Sequence, residues 1–435
     1  MQSLQKTHFH LHDESAFSKL FPELPALYVP EQKLQKLAAR MVEYSRCLDS
    51  THISNGQSIF SQFLAHDMTF ESSSKLRSFH DPSVPLQNDR SFNLDLDCVY
   101  GQWTQDFLYD AQDRSKLLLG EKYSDLECGY FWTDLQRNAQ HKAIIPDARN
   151  DENVIVSRMQ VLFIDFHNKV VDVVRKETGA HNVFQAARKR VIWHYQWLIL
   201  QEFLQEVMEK DIYDDIYQNG STYFCHPSGL PLEFTGAAFR VGHSQTREEN
   251  RINAETVAGL FELGAFEKMD QYLDWRYMFD FGDGCVQMAK KIDSKIAKAF
   301  HNIPFIRTDR PIERSLPYRN LRRGIVYGLP SGEDIAKRMS IVPIVIPEKE
   351  DLEMSGTPLW FYILKEAEIL HDGERLGPVG SRLIGEVFMT VMREDDASFL
   401  KVHPLWQPDL GPTPGSFSFQ DMIQFVYPQM FTQRA

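Results

Sequence analysis

The sequence predicts a mainly α protein with little β structure, and three observations carry that expectation. Apolar residues recur at helical spacing through most of the chain. Strand-like alternation is short and weak. The stretch Ala186–Val207 is apolar on more than one face, which places a helix in the middle of a large core. In chain order, helical spacing covers residues 31–48, 57–68, 153–176, 184–209, 251–262, 283–301 and 376–393. Val191, Trp193, Tyr195, Trp197, Leu198, Leu200 and Leu204 crowd the fourth of these. Ser418–Asp421, just ahead of Met422–Val426, has the spacing of a helix N-terminal cap. No internal repeat or Gly/Ser linker divides the chain, and the proline-rich stretches 304–317 and 404–414 are too short to be free linkers. The expectation is one domain over residues 1–435, with an N-terminal extension to about residue 30 and a core from about 31 to 430.

Composition excludes several classes of function. The 435 residues carry 47 Lys and Arg against 60 Asp and Glu, a net charge of −13. There is no basic surplus to neutralise nucleic-acid phosphates or an anionic membrane. At 43% apolar and 25% charged residues the chain is far from the signature of disorder. Cys47, Cys98, Cys128, Cys225 and Cys285 are odd in number and form no CxxC pair, so they read neither as a disulfide framework nor as a zinc site. The start, MQSLQKTHFHLHDESAF, lacks the apolar region of a signal peptide, and no uncharged apolar run is long enough to span a bilayer. A reducing, cytoplasmic location is expected.

Five segments carry candidate chemistry. In SIFSQFLAHDMTF (58–70), Gln62 and His66 are i and i+4 and share a helix face, with Asp67 about 100° further round. The plain alternative is a core histidine beside a surface aspartate. In SFNLDLDCVYG (91–101), Ser91, Asn93, Asp95 and Asp97 alternate, and an extended or looped chain points their oxygens to one side. Hard oxygen ligands suit Ca2+. The glycine and terminal glutamate of an EF-hand are missing, and alternating aspartates are common on surface loops. In IIPDARNDENVIVSRMQVLFIDFH (144–167), a loop over Pro146–Asp151 enters a helix near Glu152, and the permanently charged Arg149 lies just before it. An ordinary surface arginine at an acidic helix start fits the same pattern. His167 and His194 lie in strongly apolar helices and read as satisfied core histidines. In FTGAAFRVGH (234–243), small residues let a partner approach the backbone, and His243 is a candidate axial metal ligand. The fifth segment, LPYRN (316–320) followed by LRRGIVYGLPS, is not diagnostic alone.

Together and in this order, the five segments resemble the animal-type haem peroxidase superfamily, the group of myeloperoxidase, lactoperoxidase and the bacterial peroxinectin-like proteins. The pattern QxxxHD, a DxDxxYG-like loop, DxRxxE at a helix start, FRxGH and LPxxN is far more specific than any part of it. It runs from Gln57 to Leu329, and GERLGPVGSRLIGEV (373–387) resembles the tail of bacterial members. The resemblance implies a mostly α fold around a central haem b. It implies His66 as distal histidine, Gln62 as the distal amide that holds water or halide, and Arg149 as distal arginine. Asp67, Ser91, Asn93, Asp95 and Asp97 would hold Ca2+. His243 would bind the haem iron, with Asn320 bonded to its other ring nitrogen and Arg240 beside the cofactor.

The implied activity is reduction of hydrogen peroxide and oxidation of a small organic, halide or pseudohalide donor through a ferryl haem. Three positions depart from the mammalian pattern. Ala65 replaces the ester-forming aspartate before the distal histidine. Glu152 matches the second ester-forming carboxylate, which leaves one haem ester open. Asn153 replaces the methionine of the sulfonium link. A less distorted, less oxidising haem follows, favouring bromide, iodide, thiocyanate or phenols over chloride. In the cyclooxygenase and fatty-acid dioxygenase relatives a radical-forming tyrosine stands three residues before the proximal histidine. Here that position is Arg240, and Tyr195, Tyr223 and Tyr327 lie out of register. A lipid dioxygenase or oxidative tailoring enzyme on the same scaffold is the alternative, and a non-catalytic haem-binding protein is the third.

Overall fold

A computed structural model gives the structure of the chain. It describes residues 17–432 apart from 43–48, 71–85, 102–107, 126–129, 178–180, 226–228, 266 and 268–270. About half of the chain is helical. The helices are α1 (Glu31–Arg40), α2 (Asn55–Met68), α3 (Asp97–Tyr100), α4 (Val154–Lys176), α5 (Val183–Leu198), α6 (Leu204–Val207), α7 (Lys210–Asn219), α8 (Leu232–Gly236) and α9 (Gly242–Gln245). They continue with α10 (Leu316–Val326), α11 (Gly332–Arg338), α12 (Pro347–Asp351), α13 (Leu359–His371), α14 (Pro378–Glu394), α15 (Phe399–Val402), α16 (Phe419–Val426) and α17 (Gln429–Thr432). Eight short strands form four two-stranded sheets among the described residues: β1 (Phe17–Ser18) with β5 (Leu230–Pro231), β2 (Asp49–Ser54) with β8 (Met288–Lys290), β3 (Lys122–Asp125) with β4 (Tyr130–Thr133), and β6 (Glu249–Arg251) with β7 (Val257–Gly259). Only β1–β5 is parallel. The mainly α expectation holds.

One continuous apolar core runs from Phe21 to Val426. At its centre, α2 is fixed by aromatic contacts: Phe60 meets Phe419 of α16 at 4.6 Å between ring centroids, and Phe63 stacks on Phe163 of α4 at 4.9 Å. Such pairs add about 0.5–1.5 kcal/mol each beyond area burial. Gly56 lets the start of α2 approach Met278 and Phe279, where a Cβ would meet the Met278 carbonyl at 2.6 Å. No helix among the described residues is long and apolar enough to cross a membrane.

The helix read over 184–209 is α5 continued through a π turn at Ile199–Phe203 into α6. The cap at Ser418 is a full capping box with Asp421. Two expected helices are corrected. Residues 251–262 hold strands and one 3-10 turn, because the Asn253 side chain accepts the backbone N–H groups of Glu255 and Thr256 at 3.0 and 2.8 Å and turns the chain. Residues 283–301 are mostly irregular. Asp283 and Asp293 make the same kind of turn onto Cys285 and Lys295, and β8 is drawn into pairing with β2. The helix read over 31–48 ends at Arg40, where the Met41 carbonyl accepts from the backbone N–H of Ile296 at 2.7 Å. Residues 43–48 lie outside the described residues.

His167 and His194 are buried and bonded at both ring nitrogens. His167 donates from Nε2 to the Ser115 carbonyl (3.0 Å) and accepts at Nδ1 from the Tyr100 hydroxyl (3.1 Å). Burial pushes its pKa down to about 4. The unfolded chain, with a histidine pKa near 6.5, therefore takes up the proton first. The resulting stability is complete above about pH 6.5 and is lost at about 1.4 kcal/mol per unit as pH falls towards 4. In urea unfolding at pH 7 and pH 5, the wild-type protein is expected to lose more stability than His167→Gln. Equal losses in the two proteins would refute this.

Candidate functional site

The distal candidates sit on α2. Its N-terminus is capped by Ser54, whose Oγ accepts from the Gln57 N–H at 3.2 Å. Most of the helix is buried, but Ile59, Gln62 and Ala65 keep accessible surface. Gln62 makes no hydrogen bond among the described residues, so its amide is open on the face it shares with His66. His66 is buried, and its Nδ1 lies 2.7 Å from Asn150 Oδ1. An amide oxygen only accepts, so Nδ1 carries the proton. Nε2 then bears the lone pair, without a partner among the described residues. Burial, and next the Arg149 charge, push the ring pKa down to about 3.

Arg149 lies in a 3-10 turn (Ala148–Asp151) capped by Asp147. The turn brings it beside His66, and its guanidinium is engaged through Nε and Nη2. Nε donates to Asp147 Oδ1 (3.0 Å), and Nη2 donates to Asp147 Oδ2 (2.6 Å) and to the carbonyls of His66 (3.0 Å) and Thr69 (2.6 Å). It therefore fastens the C-terminal end of α2, where carbonyls have no helical partner. Arg90 joins Asp147 from the other side at 2.9 Å. Against burial, which alone would raise it, the two guanidiniums hold the Asp147 carboxyl well below the usual carboxylate range. The expected free cation over the open face is thus an arginine paired with a buried aspartate.

Asp67 is fully buried, not on the surface. Its carboxylate, with those of Asp95 and Asp97, forms a cluster whose oxygens lie within 4.8 Å of one another. Left-handed backbone at Leu94 (φ 54°) and Leu96 (φ 58°) turns both leucines into the core and Asp95 and Asp97, the residue after each, towards Asp67. Tyr195 donates to Asp67 at 2.9 Å, and the backbone N–H groups of Leu96 and Cys98 donate at 3.2 and 3.3 Å. Asp95 Oδ1 and Asp97 Oδ1 are buried without a donor. Burial and then mutual repulsion raise the pKa of Asp67 and Asp97, and burial raises that of Asp95. Arg188 and Arg90 approach the cluster only to 3.7 Å, and Arg90 is shared with Asp147. Three crowded carboxylates with two orphaned oxygens fit a hard divalent cation. Ser91 and Asn93 precede the cluster in the same loop, but the Ser91 hydroxyl is engaged locally, accepting from the Asn93 N–H at 3.2 Å.

On the proximal side, α9 carries His243 and packs on α2 where Gly242 faces Ser61; a Cβ at Gly242 would lie 3.5 Å from Ser61 Oγ. Asn320, buried on α10, places Nδ2 2.7 Å from His243 Nδ1 and leaves its own Oδ1 without a partner. With the amide turned over, Oδ1 would accept from Nδ1–H and Nε2 would bear a free lone pair, the state an axial ligand needs. Burial, then the charges of Arg240 and Arg323, push the His243 pKa down to about 3. Trp360 of α13 meets the His243 ring at 6.5 Å and donates to the Arg240 carbonyl at 3.1 Å. Arg240 Nε donates to the Thr235 carbonyl at 2.8 Å. Two guanidiniums beside this histidine suit the two propionates of haem b. Glu152 is exposed at the turn before α4, and Asn153 is the N-cap of that helix, accepting from Ile155 and Val156.

The structure thus places two imidazoles on adjoining elements, His66 buried and His243 half-buried, each with an asparagine at Nδ1 and no partner at Nε2 among the described residues. The residues present fit a haem between a ligand and an acid–base group. Sequence reasoning gave no role to Asp147, Arg90, Asn150, Gln160 or Arg323. Arg323 was within reach, since it stands one turn after Asn320 on the same helix. Asn150 and Gln160 offered only a polar residue beside Arg149 and a lone amide in an apolar helix.

The sequence model of the animal haem peroxidase family matches residues 86–331, more than half of the chain. That span includes the loop from Ser91 to Asp97, Arg149, Glu152, Arg240, His243 and Asn320; Gln62, His66 and Asp67 precede it. The chain is 27% identical over 305 residues to Heme peroxidase 2 of Caenorhabditis elegans, covering 62% of this chain and 39% of that one. It is 25% identical over 295 residues to the Chorion peroxidase of Drosophila melanogaster, covering 62% and 36%. The chain therefore spans under two fifths of the length of these curated relatives. Among solved structures, peroxidase A from Dictyostelium discoideum superposes with a TM-score of 0.72 at 14% identity, over 96% of this chain and 94% of that one. Fatty acid alpha-dioxygenase of Arabidopsis thaliana superposes with a TM-score of 0.64 at 15% identity, over 94% and 77%. At these identities the superpositions speak for the fold alone.

Proposed function

The chain belongs to the animal haem peroxidase family, and on that premise we propose that it reduces hydrogen peroxide and oxidises a small organic, halide or pseudohalide donor. The observation that carries this reading is the pair of histidines, one buried and one half-buried, with opposite tasks. His243 has the lone pair and the Asn320 partner of a ligand, and His66 has an open Nε2 held by Asn150 Oδ1.

His243 would hold the iron of haem b, with Arg240 and Arg323 beside the propionates. When bound, haem supplies the site where peroxide oxygen binds and the two electrons that cleave the O–O bond. The protein's own part is proton transfer and positioning. His66 Nε2 takes the proton from the inner oxygen of hydrogen peroxide and returns it to the outer oxygen, which leaves as water. Gln62, with its unengaged amide, orients the peroxide or a water beside His66. Arg149 holds the His66 backbone and adds a positive potential that Asp147 partly screens. Ca2+ on Asp67, Asp95 and Asp97, with further oxygens from the Ser91–Asn93 loop, would fasten α2 next to His66. Asn153 is engaged in capping α4, and Ala65 has no carboxylate, so Glu152 is the one position for a haem ester. We place the enzyme in the cytoplasm, as a single domain.

The test is the optical spectrum of the protein reconstituted with haem, before and after hydrogen peroxide. A Soret band that changes rapidly with peroxide, and that is lost or displaced in His243→Ala, is expected. No Soret band in the wild-type protein would overturn the reading. Oxidation of linoleate without peroxide would replace it with the lipid dioxygenase alternative, against which Arg240 stands in the tyrosine register. Robust chloride oxidation would overturn the expected donor range.

A further inference from the structure

His66 can take a proton from peroxide only in one of its two neutral tautomers, the one with hydrogen on Nδ1. An unconstrained imidazole favours hydrogen on Nε2. What decides between them is the partner of the other nitrogen, and that partner is itself held. Asn150 Nδ2 donates to Gln160 Oε1 at 2.8 Å, and Gln160 Nε2 donates to the Cys98 carbonyl at 3.3 Å. Asn150 and Gln160 are fully buried. The chain ends on a backbone carbonyl, which only accepts. Gln160 must therefore present its nitrogen to Cys98 and its oxygen to Asn150. Asn150 must then present its nitrogen to Gln160 and its oxygen to His66. Turning every member over would set the Gln160 oxygen against the Cys98 oxygen and strand both away from water.

We infer that Asn150 and Gln160 form a buried amide relay, anchored on the Cys98 carbonyl, that fixes His66 with hydrogen on Nδ1 and keeps Nε2 available to a peroxide proton. Both are positioning residues, and the inference deepens the peroxidase reading on which it rests. The anchor belongs to the calcium loop. Cys98 follows Asp97 directly, and its backbone N–H donates to Asp67 at 3.3 Å. The loop thus sets the His66 ring orientation by a route separate from the chain link between His66 and Asp67. Gln160 has a reason to stand among Val154, Met159, Val161 and Leu162 on a helix otherwise given to the core.

The test uses haem-loaded, ferrous, carbon monoxide-bound protein labelled with 15N-histidine, with the His66 signals assigned by their absence in His66→Gln. The wild-type protein is expected to show a protonated Nδ1 and an unprotonated Nε2 at residue 66. Asn150→Leu is expected to lose that preference and to consume peroxide about 10–100-fold more slowly, the usual effect of removing a partner that orients a catalytic or ligating histidine. Asn150→Asp keeps an acceptor on Nδ1, so it should retain the tautomer, although its second oxygen can no longer donate to Gln160 Oε1. Gln160→Met keeps the volume, removes both amide ends and should shift the tautomer in the same direction as Asn150→Leu, which serves if that variant fails to fold. A protonated Nε2 in the wild-type protein, or an unchanged tautomer in both Asn150→Leu and Gln160→Met, overturns the relay. Absence of peroxide consumption by a wild-type protein that shows the expected tautomer overturns the peroxidase reading instead, and with it the purpose assigned to the relay.

Discussion

Replacing His66 by alanine lowers the rate of peroxide consumption by about 10²–10⁴-fold, the range for loss of a positioned acid–base group, while the haem stays bound through His243. The size of the effect rests on the lack of a substitute. Gln62 shares the open face, but a neutral amide does not carry a proton between the two peroxide oxygens. The Arg149 guanidinium is bonded to Asp147 and to the carbonyls of His66 and Thr69. A guanidinium has only N–H donors and no acceptor, so it cannot take the proton from the inner peroxide oxygen. The measurement is the second-order rate of peroxide consumption by haem-loaded wild-type and His66→Ala proteins at equal Soret absorbance. A variant within a factor of about three of wild type would place the proton transfer on another group.

Removing a divalent cation held by Asp67, Asp95 and Asp97 is expected to be as damaging, through both stability and activity. A ligand held at about a thousandfold above its dissociation constant contributes about 4 kcal/mol to folding. Removing it also leaves Asp67, Asp95 and Asp97 facing one another in a buried site where Tyr195 and two backbone N–H groups donate to Asp67. The loop is connected to His66 in three ways. Asp67 is the next residue, Cys98 anchors the amides that reach the His66 ring, and Arg90 joins Asp147, which in turn holds Arg149 against the His66 carbonyl. Treatment with a calcium-selective chelator is therefore expected to lower the melting temperature and suppress peroxide consumption together, with both restored by Ca2+ and not by Mg2+. Mg2+ is the poorer fit because it demands near-octahedral geometry and retains its waters. A melting temperature and activity indifferent to the chelator would show that the three carboxylates do without a cation.

The class of the fold and most of the helices near the site are legible in the residues alone. Helical spacing is a local property, and it gave α2, α4, α5 and α14 to within a few residues. The same criterion over-read residues 251–262 and 283–301, where Asn253, Asp283 and Asp293 bend the chain with their own side chains. Spacing of apolar residues does not register such turns. The motifs also singled out the three aspartates that the structure gathers into one cluster, and the two histidines that it leaves open at Nε2.

Which partners the polar groups take follows from contacts between segments distant in the chain. A guanidinium next in space to His66 could have stayed a free cation, and the buried Asp147 paired it. Asp67 read equally as a surface residue until α5 brought Tyr195 against it from 128 positions along the chain. Asn150 reaches His66 across 84 positions, and Gln160 reaches Cys98 across 62. Their roles come from hydrogen bonds that form only once the apolar faces of α2, α3 and α4 have packed. The physical reason is one of range: periodicity and capping act over a few residues, whereas a buried polar group takes whichever partner the packed core brings to it, because leaving it without one costs more than any local preference.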